Sequence, residues 1–549
     1  MSARQTRRDP GGWLLNWDPH RAARAVAEGD WPDLTVAQFA QQRVRQHPGR
    51  VLITEGACSL TCAQLYEAAL RLAGVFRARG LVAGEVVSFQ LPNWWEASVI
   101  DLAASMIGLV TNPIVPINRD AEVTYMLNES RTRLLFIPGE FRKFDYAAMM
   151  RRIAPALTQP PEVVLVRSKS AAFADLDTVL RDAAAVPGPI EVDPNAVKIL
   201  LYTSGTTGRP KGVLHSHNTI HADARKMQPA MGLAPDDVIF CPSPVTHISG
   251  YLWALNMPWC GGMPVVMMDT WDPSAGFELM RAHRCAFSVG ATPFLQGIVT
   301  EARRRGANLP DVKSYMCGGA SVPPRLIYEA AEVFPAGIPW RTFGSTEAPT
   351  LTGPPASRAQ LRLGAETDGR LNRSEFKFLD LQSDAELAPG EEGEMLVREP
   401  SMALGYARPE DNDGAYDAQG FFRMGDIGRL VEGDHIVCTG RKKDLIIRAG
   451  ENISAKEIED VLFASGKVAE VAIVGMPSTR TGEAVCAFIV PHPGQACTLE
   501  EVARIIEQAG LARQKTPVHA QAVSDLPKTP SGKVRKDLLR EQAKAYRVD

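Results

Sequence analysis

Apolar side chains recur in two alternating rhythms from about residue 35 to residue 200. Leu65, Ala69, Leu72, Ala73 and Phe76 recur at steps of mainly three and four, as one face of a helix requires. Between such stretches lie short β-rich runs, EVVSFQLP (85–92), RLLFIPG (133–139) and EVVLVRS (162–168). Helix and strand alternating at this spacing predict parallel α/β layers. From 200 to about 350 the rhythm repeats in KILLYTS (198–204), VIFCPS (238–243), MPVVMMD (263–269), CAFSVGATP (285–293) and SYMCGG (314–319), which predict one or two further sheets.

After about 360 the text turns rich in turns and strands, as in EGEMLVREP (392–400) and GRLVEGDHIVCTG (428–440), and predicts a small antiparallel β unit. The main boundary is expected just after Arg441. Beyond it come a strand (444–448), a helix opened by Ser454-x-x-Glu457, strands at 468–475 and 484–490, and a helix opened by Thr498-x-x-Glu501. The fold class is therefore α/β: a large N-terminal domain (1–441) of layered α/β sheets plus a small β unit, then a small α+β C-terminal domain (442–549).

The most apolar window, 94–118, is interrupted by Glu96, Asp101 and Pro113, so it reads as a buried helix and strand rather than a membrane segment. Composition narrows the classes further. At 549 residues, 45% hydrophobic and 22% charged with net charge −3, the chain has the make-up of a soluble multi-domain protein, with no signature of nucleic-acid binding. Nine scattered cysteines with no CxxC pair argue against a disulfide framework or structural zinc. The N-terminus has basic residues but no apolar core of a signal peptide, so a reducing cytoplasm is expected.

The chemistry begins at TSGTTGRPKG (203–212), directly after an apolar strand. Its glycines free backbone N–H groups, and its hydroxyls, Arg209 and Lys211 suit phosphate oxygens. The spacing is not that of a Walker A loop, and an extended VLHSH segment follows instead of a helix. Four more strings follow in order: TFGSTE (342–347), GDIGRL (425–430), GRKKDLIIRAGENISAKEIE (440–459) and PKTPSGKVRK (527–536). With LPNWWE (91–96) and VPIN (115–118), they resemble the adenylate-forming superfamily of acyl-CoA synthetases, peptide-synthetase adenylation domains and beetle luciferases. The resemblance covers nearly the whole chain.

That resemblance implies ATP, Mg²⁺ and CoA: a carboxylate is joined to ATP as acyl-AMP, pyrophosphate leaves, and the acyl group passes to a thiol. It assigns nucleotide contacts to Thr203, Ser204, Gly205, Thr206, Thr207, Gly208 and Lys211. Gly318, Gly319 and Ala320 would line the adenine and acyl sites. Thr342, Phe343, Gly344, Ser345 and Thr346 would border the adenine, with Phe343 stacking where the family often has tyrosine. Asp426 matches the acid that takes the ribose hydroxyls, Arg441 the cation reaching ribose and phosphate, and Glu347 the Mg²⁺ carboxylate. Lys533 matches the catalytic lysine, although its tail, with seven Lys and Arg against three acids over 527–549, is basic enough to hold a solvated lysine. His247 matches a histidine between acyl pocket and thiol tunnel, with Thr246 in place of the usual aromatic neighbour. Lys443 aligns with a hinge about which the C-terminal domain rotates, and Gly450 with a glycine that CoA approaches. His215, His217 and His221 look like a metal cluster only superficially.

Amino-acid adenylation domains place an aspartate after the histidine motif; HISGYLWALNMPW has no acid, so an amino-acid substrate is not expected. Tyr251, Trp253, Gly290, Ala291, Thr292 and Pro293 are expected to line an apolar pocket for a small to medium acid, medium-chain, alicyclic or aromatic. The chain looks most like a medium-chain or cyclohexanecarboxylate-type CoA ligase. The alternative is an acyl-AMP ligase that loads a carrier-protein thiol; an oxygenase or a degenerate scaffold ranks lower. The expected partners are ATP, the acid and CoA, with no nucleic acid and no integral membrane segment, and a homo-oligomer is left open.

Overall fold

The computed structural model describes residues 5–203, 209–319, 322–495, 497–528 and 533–546. Two seven-stranded sheets organise the N-terminal domain. The first runs, in spatial order, Ala174–Asp175, Glu162–Val166, Leu134–Pro138, Val86–Phe89, Val110–Pro113, Val197–Thr203 and Lys211–Ser216. Its strands are parallel except for the last pair, the hairpin spanning the phosphate loop. Leu134–Pro138 is buried at every residue, the pattern of a strand covered on both faces.

The second sheet runs Ile338–Thr342, Ser314–Gly318, Phe287–Gly290, Ile239–Cys241, Val265–Met267, Val51–Glu55 and Cys58–Thr61. Of the later strand series, the runs at 238–243, 263–269, 285–293 and 314–319 supply strands of this one sheet, whereas 198–204 joins the first sheet, beside Val110–Pro113. Its far edge is the hairpin 51–61, which crosses over from the earlier part of the chain, a long-range pairing that local periodicity does not encode.

The helix Cys62–Ala78 starts in a reciprocal capping box between Thr61 and Gln64 and buries the predicted stripe of Leu65, Ala69, Leu72, Ala73 and Phe76. The apolar window forms the helix Trp95–Met106 and the strand Val110–Pro113. That helix touches strands of both sheets, which explains its burial all round. Among the described residues no helix is long and apolar enough to cross a membrane.

Its acids are paired rather than solvated. Glu96 accepts from Arg167 at 2.7 and 2.8 Å, and Asp101 accepts from Lys198 at 2.8 and 2.9 Å and from the Tyr251 hydroxyl at 2.6 Å. Lys198, Asp101 and Tyr251 are all fully enclosed, so each charge depends on the others for solvation.

A six-stranded antiparallel sheet follows, in the order Thr352–Gly353, Arg370–Leu371, His435–Arg441, Phe422–Val431, Gly393–Arg398 and Glu375–Leu379. The small C-terminal domain is built on a five-stranded sheet around the long pair Val468–Ser478 and Gly482–Pro491. Its helices Ala455–Ala464 and Leu499–Gln508 are capped by Ser454 and Thr498, as the sequence predicts.

The buried Lys198–Asp101 pair generates a stability prediction. Asp101→Ala leaves an uncompensated cation in the core and should cost about 3–5 kcal/mol, read as a fall in the urea midpoint. The double replacement Asp101→Leu with Lys198→Met should recover most of that loss, and a double variant as weak as the single would show that the pair's charge is not the issue.

Candidate functional site

The phosphate-loop hairpin leaves its strand at Thr203 and returns at Lys211, which face each other in register. Ser204, Gly205, Thr206, Thr207 and Gly208 lie outside the described residues, as does Ala320. Arg209, just before the returning strand, and Lys211, its first residue, both approach Asp411, at 3.1 and 3.5 Å. The Lys211 ammonium also lies 4.9 Å from the centre of the Tyr406 ring.

The free edge of the strand Lys211–Ser216 is covered by residues 404–407. Leu404 N–H donates to the Leu214 carbonyl at 2.8 Å, Leu214 N–H to Gly405 at 2.9 Å and Ala407 N–H to Gly212 at 2.7 Å. Tyr406, which sequence reasoning missed, is placed by this pairing. Its hydroxyl donates to Glu347 Oε1 at 2.8 Å, and Ala403 N–H donates to the Glu347 carbonyl at 2.7 Å. Burial and the neighbouring Glu347 push the Tyr406 phenol upward, so it stays protonated and a donor. The available signal was a tyrosine beside a glycine in the apolar turn MALGY, but its partner lies far away in sequence.

The second sheet supplies the facing wall. Gly318 and Thr342 are register partners, and a Cβ on Gly318 would stand 2.5 Å from Thr342 Cγ2. Gly318 and Gly319 thus end one strand beside the end of the next, and only a bare backbone fits at 318. After Thr342 the loop folds tightly on itself. Phe343 N–H donates to Thr352 Oγ1 at 3.1 Å, and Ser345 N–H donates to the Ala348 carbonyl at 2.8 Å. A Cβ on Gly344 would meet the Pro349 carbonyl at 1.8 Å.

His215 bridges the two walls. Its Nε2 lies 2.8 Å from the Thr346 carbonyl, which can only accept, so that nitrogen carries the proton and Nδ1 faces Thr219 Oγ1 at 3.1 Å as acceptor. Burial pushes His215 down to about 4, and it is neutral at pH 7. His217 Nδ1 accepts from Val36 N–H at 3.2 Å, and His221 packs edge-on against Phe39, so both serve the core. Among the described residues no three metal-ligating side chains cluster.

Asp426, midway along the strand Phe422–Val431, and Arg441, at the end of the strand His435–Arg441, are register partners, and Arg441 Nε donates to Asp426 Oδ1 at 2.7 Å. Burial works against the Arg441 charge, but Asp426 outweighs it and holds the guanidinium above its ordinary value. Lys533 comes to the same place from the C-terminal domain. Dense surroundings and then Arg441 pull its ammonium down, while Asp426 and Glu347 pull it up, although the side chain keeps contact with solvent. His247 is pushed down to about 4, first by burial and then by Lys533. Lys443 is pushed down by burial and by Arg441. Lys533, Arg441, Asp426, Glu347, Lys443 and His247 therefore share one electrostatic neighbourhood.

His247 precedes the short helix Ile248–Gly250 and a wider π-helical turn, Tyr251–Asn256. The structure places Tyr251 and Trp253 within the core: Tyr251 is held by Asp101 and Lys198, and Trp253 packs 4.4 Å from Phe287. A hydroxyl in such surroundings needs a partner, which Asp101 provides. Gly290 and Ala291 sit where the strand Phe287–Gly290 meets the helix Thr292–Arg305, and a Cβ on Gly290 would lie 2.7 Å from Phe294. Thr292 and Pro293 open that helix. Burial pushes the thiols of Cys241 and Cys317 up to about 12. Gly450 forms, with Ala449, the exposed two-residue tip joining Ile446–Arg448 to Glu451–Ile453; both have positive φ, +52° at Ala449 and +86° at Gly450, as a type I′ turn needs.

Comparison with known proteins bears on the chain as a whole. The family model described as "AMP-binding enzyme" matches residues 40–407, and that of "AMP-binding enzyme C-terminal domain" matches residues 457–533. The chain is 33% identical over 538 residues to a medium-chain fatty-acid–CoA ligase of Escherichia coli, covering 96% of this chain and 94% of that one. It is 29% identical to a salicylyl-CoA synthase/salicylate adenylyltransferase of Streptomyces, covering 96% and 97%. Among solved structures, ATP-bound MatB of Rhodopseudomonas palustris superposes with a TM-score of 0.83 at 25% identity, covering 93% of this chain and 99% of that one.

The neutral, buried His215 generates a pH prediction. An unfolded histidine takes up a proton near pH 6.5 and the folded one only near 4, so the unfolded state binds more protons between those values. This contribution to stability is complete above about pH 6.5 and is lost as pH falls toward 4, up to about 3 kcal/mol. His215→Gln should flatten the fall in the urea midpoint across that window, and an unaltered pH profile would count against the assignment.

Proposed function

Because the chain belongs to the AMP-binding enzyme family, we propose that it is an AMP-forming acyl-CoA synthetase for a small to medium apolar carboxylic acid. The observation that carries this reading is the register pairing and 2.7 Å contact of Asp426 with Arg441, whose charges act with Glu347 on Lys533. Adenylation drives a carboxylate oxygen at the α-phosphorus of ATP, forming the acyl–phosphate bond as pyrophosphate leaves. Two anions meet, and cations must stand where negative charge gathers. Lys533 spans carboxylate and α-phosphate in this reading, with Thr203, Lys211 and the loop residues 204–208 on the phosphates. Asp426 takes the ribose hydroxyls, and Arg441, oriented by it, reaches ribose and phosphate. Phe343 stacks on adenine between Gly318–Ala320 and Thr342–Thr346.

Glu347 fits Mg²⁺. It is a carboxylate steadied by one phenol, with no cage of further acids among the described residues, the setting in which Mg²⁺ takes its other ligands from phosphate and water. When bound, the ion would offset phosphate charge.

In the second half-reaction the CoA thiol gives its proton to water, its sulfur bonds to the acyl carbon and AMP leaves with the former acyl–oxygen electron pair. His247, uncharged above about pH 4, offers the incoming thiol a hydrogen-bonding ring rather than a charge. The boundary after Arg441 divides 1–441 from 442–549, and the smaller domain turns about Lys443. It presents Lys533 for adenylation and the Gly450 turn for CoA, whose approach leaves no room for a side chain. Gly290 and Ala291, with Thr292 and Pro293, border the acyl group, and Tyr251 and Trp253 back it.

The substrate class rests on an apolar segment without an acid to pair an ammonium, HISGYLWALNMPW, and on relatives named for medium-chain and aromatic acids. A carrier-protein thiol as acceptor remains the second reading, supported by relatives named as 2,3-dihydroxybenzoate-AMP ligases.

AMP release with ATP and Mg²⁺ across acetate, hexanoate, decanoate, palmitate, benzoate and cyclohexanecarboxylate, with and without CoA, tests this reading. CoA-dependent turnover with one optimum among the mid-sized apolar acids is expected; pyrophosphate exchange that CoA does not accelerate would favour the carrier protein. Lys533→Ala should slow adenylation about 100- to 1,000-fold while sparing thioester formation from supplied acyl-adenylate, and Gly450→Leu should do the reverse. Equal loss of both half-reactions in both variants would refute the alternation.

A further inference from the structure

Residues 5–31 precede the segment matched by the AMP-binding family model, yet they reach the catalytic face. The segment forms a hairpin of Gln5–Arg8 with Leu14–Trp17 and then the helix Pro19–Ala27, capped by Asp18. It begins on the strand that feeds the phosphate loop, where Asp9 Oδ1 accepts from Val197 N–H at 2.9 Å. It then runs along residues 400–404 and meets three alternate carbonyls. Trp31 Nε1 donates to Pro400 at 3.0 Å, Arg21 Nη1 to Met402 at 3.3 Å and Asn16 N–H to Leu404 at 2.7 Å. Trp31, Arg21 and Leu15 are buried at these contacts, so this is a packed seam and not a surface brush.

The run held in this way is the one that steadies Glu347. Ala403 N–H binds the Glu347 carbonyl and Tyr406 binds its carboxylate. Neither donor could keep its place if 400–404 moved by an ångström, because hydrogen bonds weaken steeply with misalignment. The run's other anchors are the strand edge at 212–214 and a buried cluster in which Lys226 pairs with Glu399 and donates to Ser401 Oγ at 2.9 Å. The seam supplies the support on the carbonyls between those two anchors.

We propose that the N-terminal segment 5–31 is a positioning strap for Glu347 and Tyr406, and that Trp31 and Arg21 set the affinity for Mg²⁺-bound nucleotide without touching it. This rests on the assignment of Glu347 to the metal. Trp31→Phe and the double variant Arg21→Met/Trp31→Phe keep most of the packing and remove the two side-chain donors. Ile298→Val, which thins the buried core beside the second sheet, controls for simple loss of stability.

Equilibrium binding of ATP by the full chain, with Mg²⁺ and with EDTA, reads the effect. In Mg²⁺ the strap variants should bind ATP about fivefold more weakly, the worth of roughly one hydrogen bond, with less than a twofold change in EDTA. Combined with Tyr406→Phe, the losses should not add. An ATP affinity that stays unchanged, or falls equally with and without Mg²⁺, or falls as much in Ile298→Val, overturns the strap's role. A wild-type chain that does not bind ATP at all would instead overturn the nucleotide reading on which the strap depends.

Discussion

The site hangs on the ion pair between Asp426 and Arg441. Asp426, midway along the strand Phe422–Val431, lies opposite Arg441, the last residue of the strand His435–Arg441, and immediately after Arg441 the chain leaves that sheet. Burial alone would discourage a guanidinium here, and Asp426 reverses that balance. The pair therefore fixes the exit point of the chain and a positive charge at once. Arg441 repels the Lys533 ammonium, while Asp426 and Glu347 attract it. The Glu347 arm is held in turn by Tyr406 and Ala403, and thus by the strand edge after the phosphate loop.

Much of this was legible from sequence for definite reasons. The strands of both large sheets are short apolar runs because they are covered on two faces, and the helix Cys62–Ala78 carries its stripe and its cap in adjacent letters. The candidate residues were found as ordered motifs, and the chain brings Lys533, Arg441, Asp426 and Glu347 to one neighbourhood. Non-local pairings were not legible. The hairpin 51–61 belongs to the second sheet although its sequence neighbours build the first, and residues 404–407 pair with 212–214, almost two hundred residues back along the chain. Tyr406 and the seam of Trp31, Arg21 and Asn16 were invisible for the same reason, since their partners lie far along the chain.

Buried polar groups divide into two uses. The Lys198–Asp101–Tyr251 group joins the strand leading to the phosphate loop, the helix between the sheets and the turn after His247. Its cost in desolvation is met by mutual hydrogen bonding, and it fixes how three elements meet. His215 acts differently. Neutral and enclosed, it lends a single N–H to the loop that ends in Glu347, giving direction without adding charge.

The suppressed acidity of the thiols has a chemical consequence for an enzyme of this proposed class. An acyl-adenylate is a strong acylating agent, and a thiolate within reach would capture it and leave the protein as a dead-end thioester. Cys317 adjoins Gly318 in the wall of the site, and Cys241 ends the strand two places away in the same sheet. With both held as thiols to about pH 12, their sulfur lacks the charge that makes it nucleophilic. The fold thus silences its own sulfur around a reactive intermediate, leaving the thiol that arrives from outside as the competent acceptor.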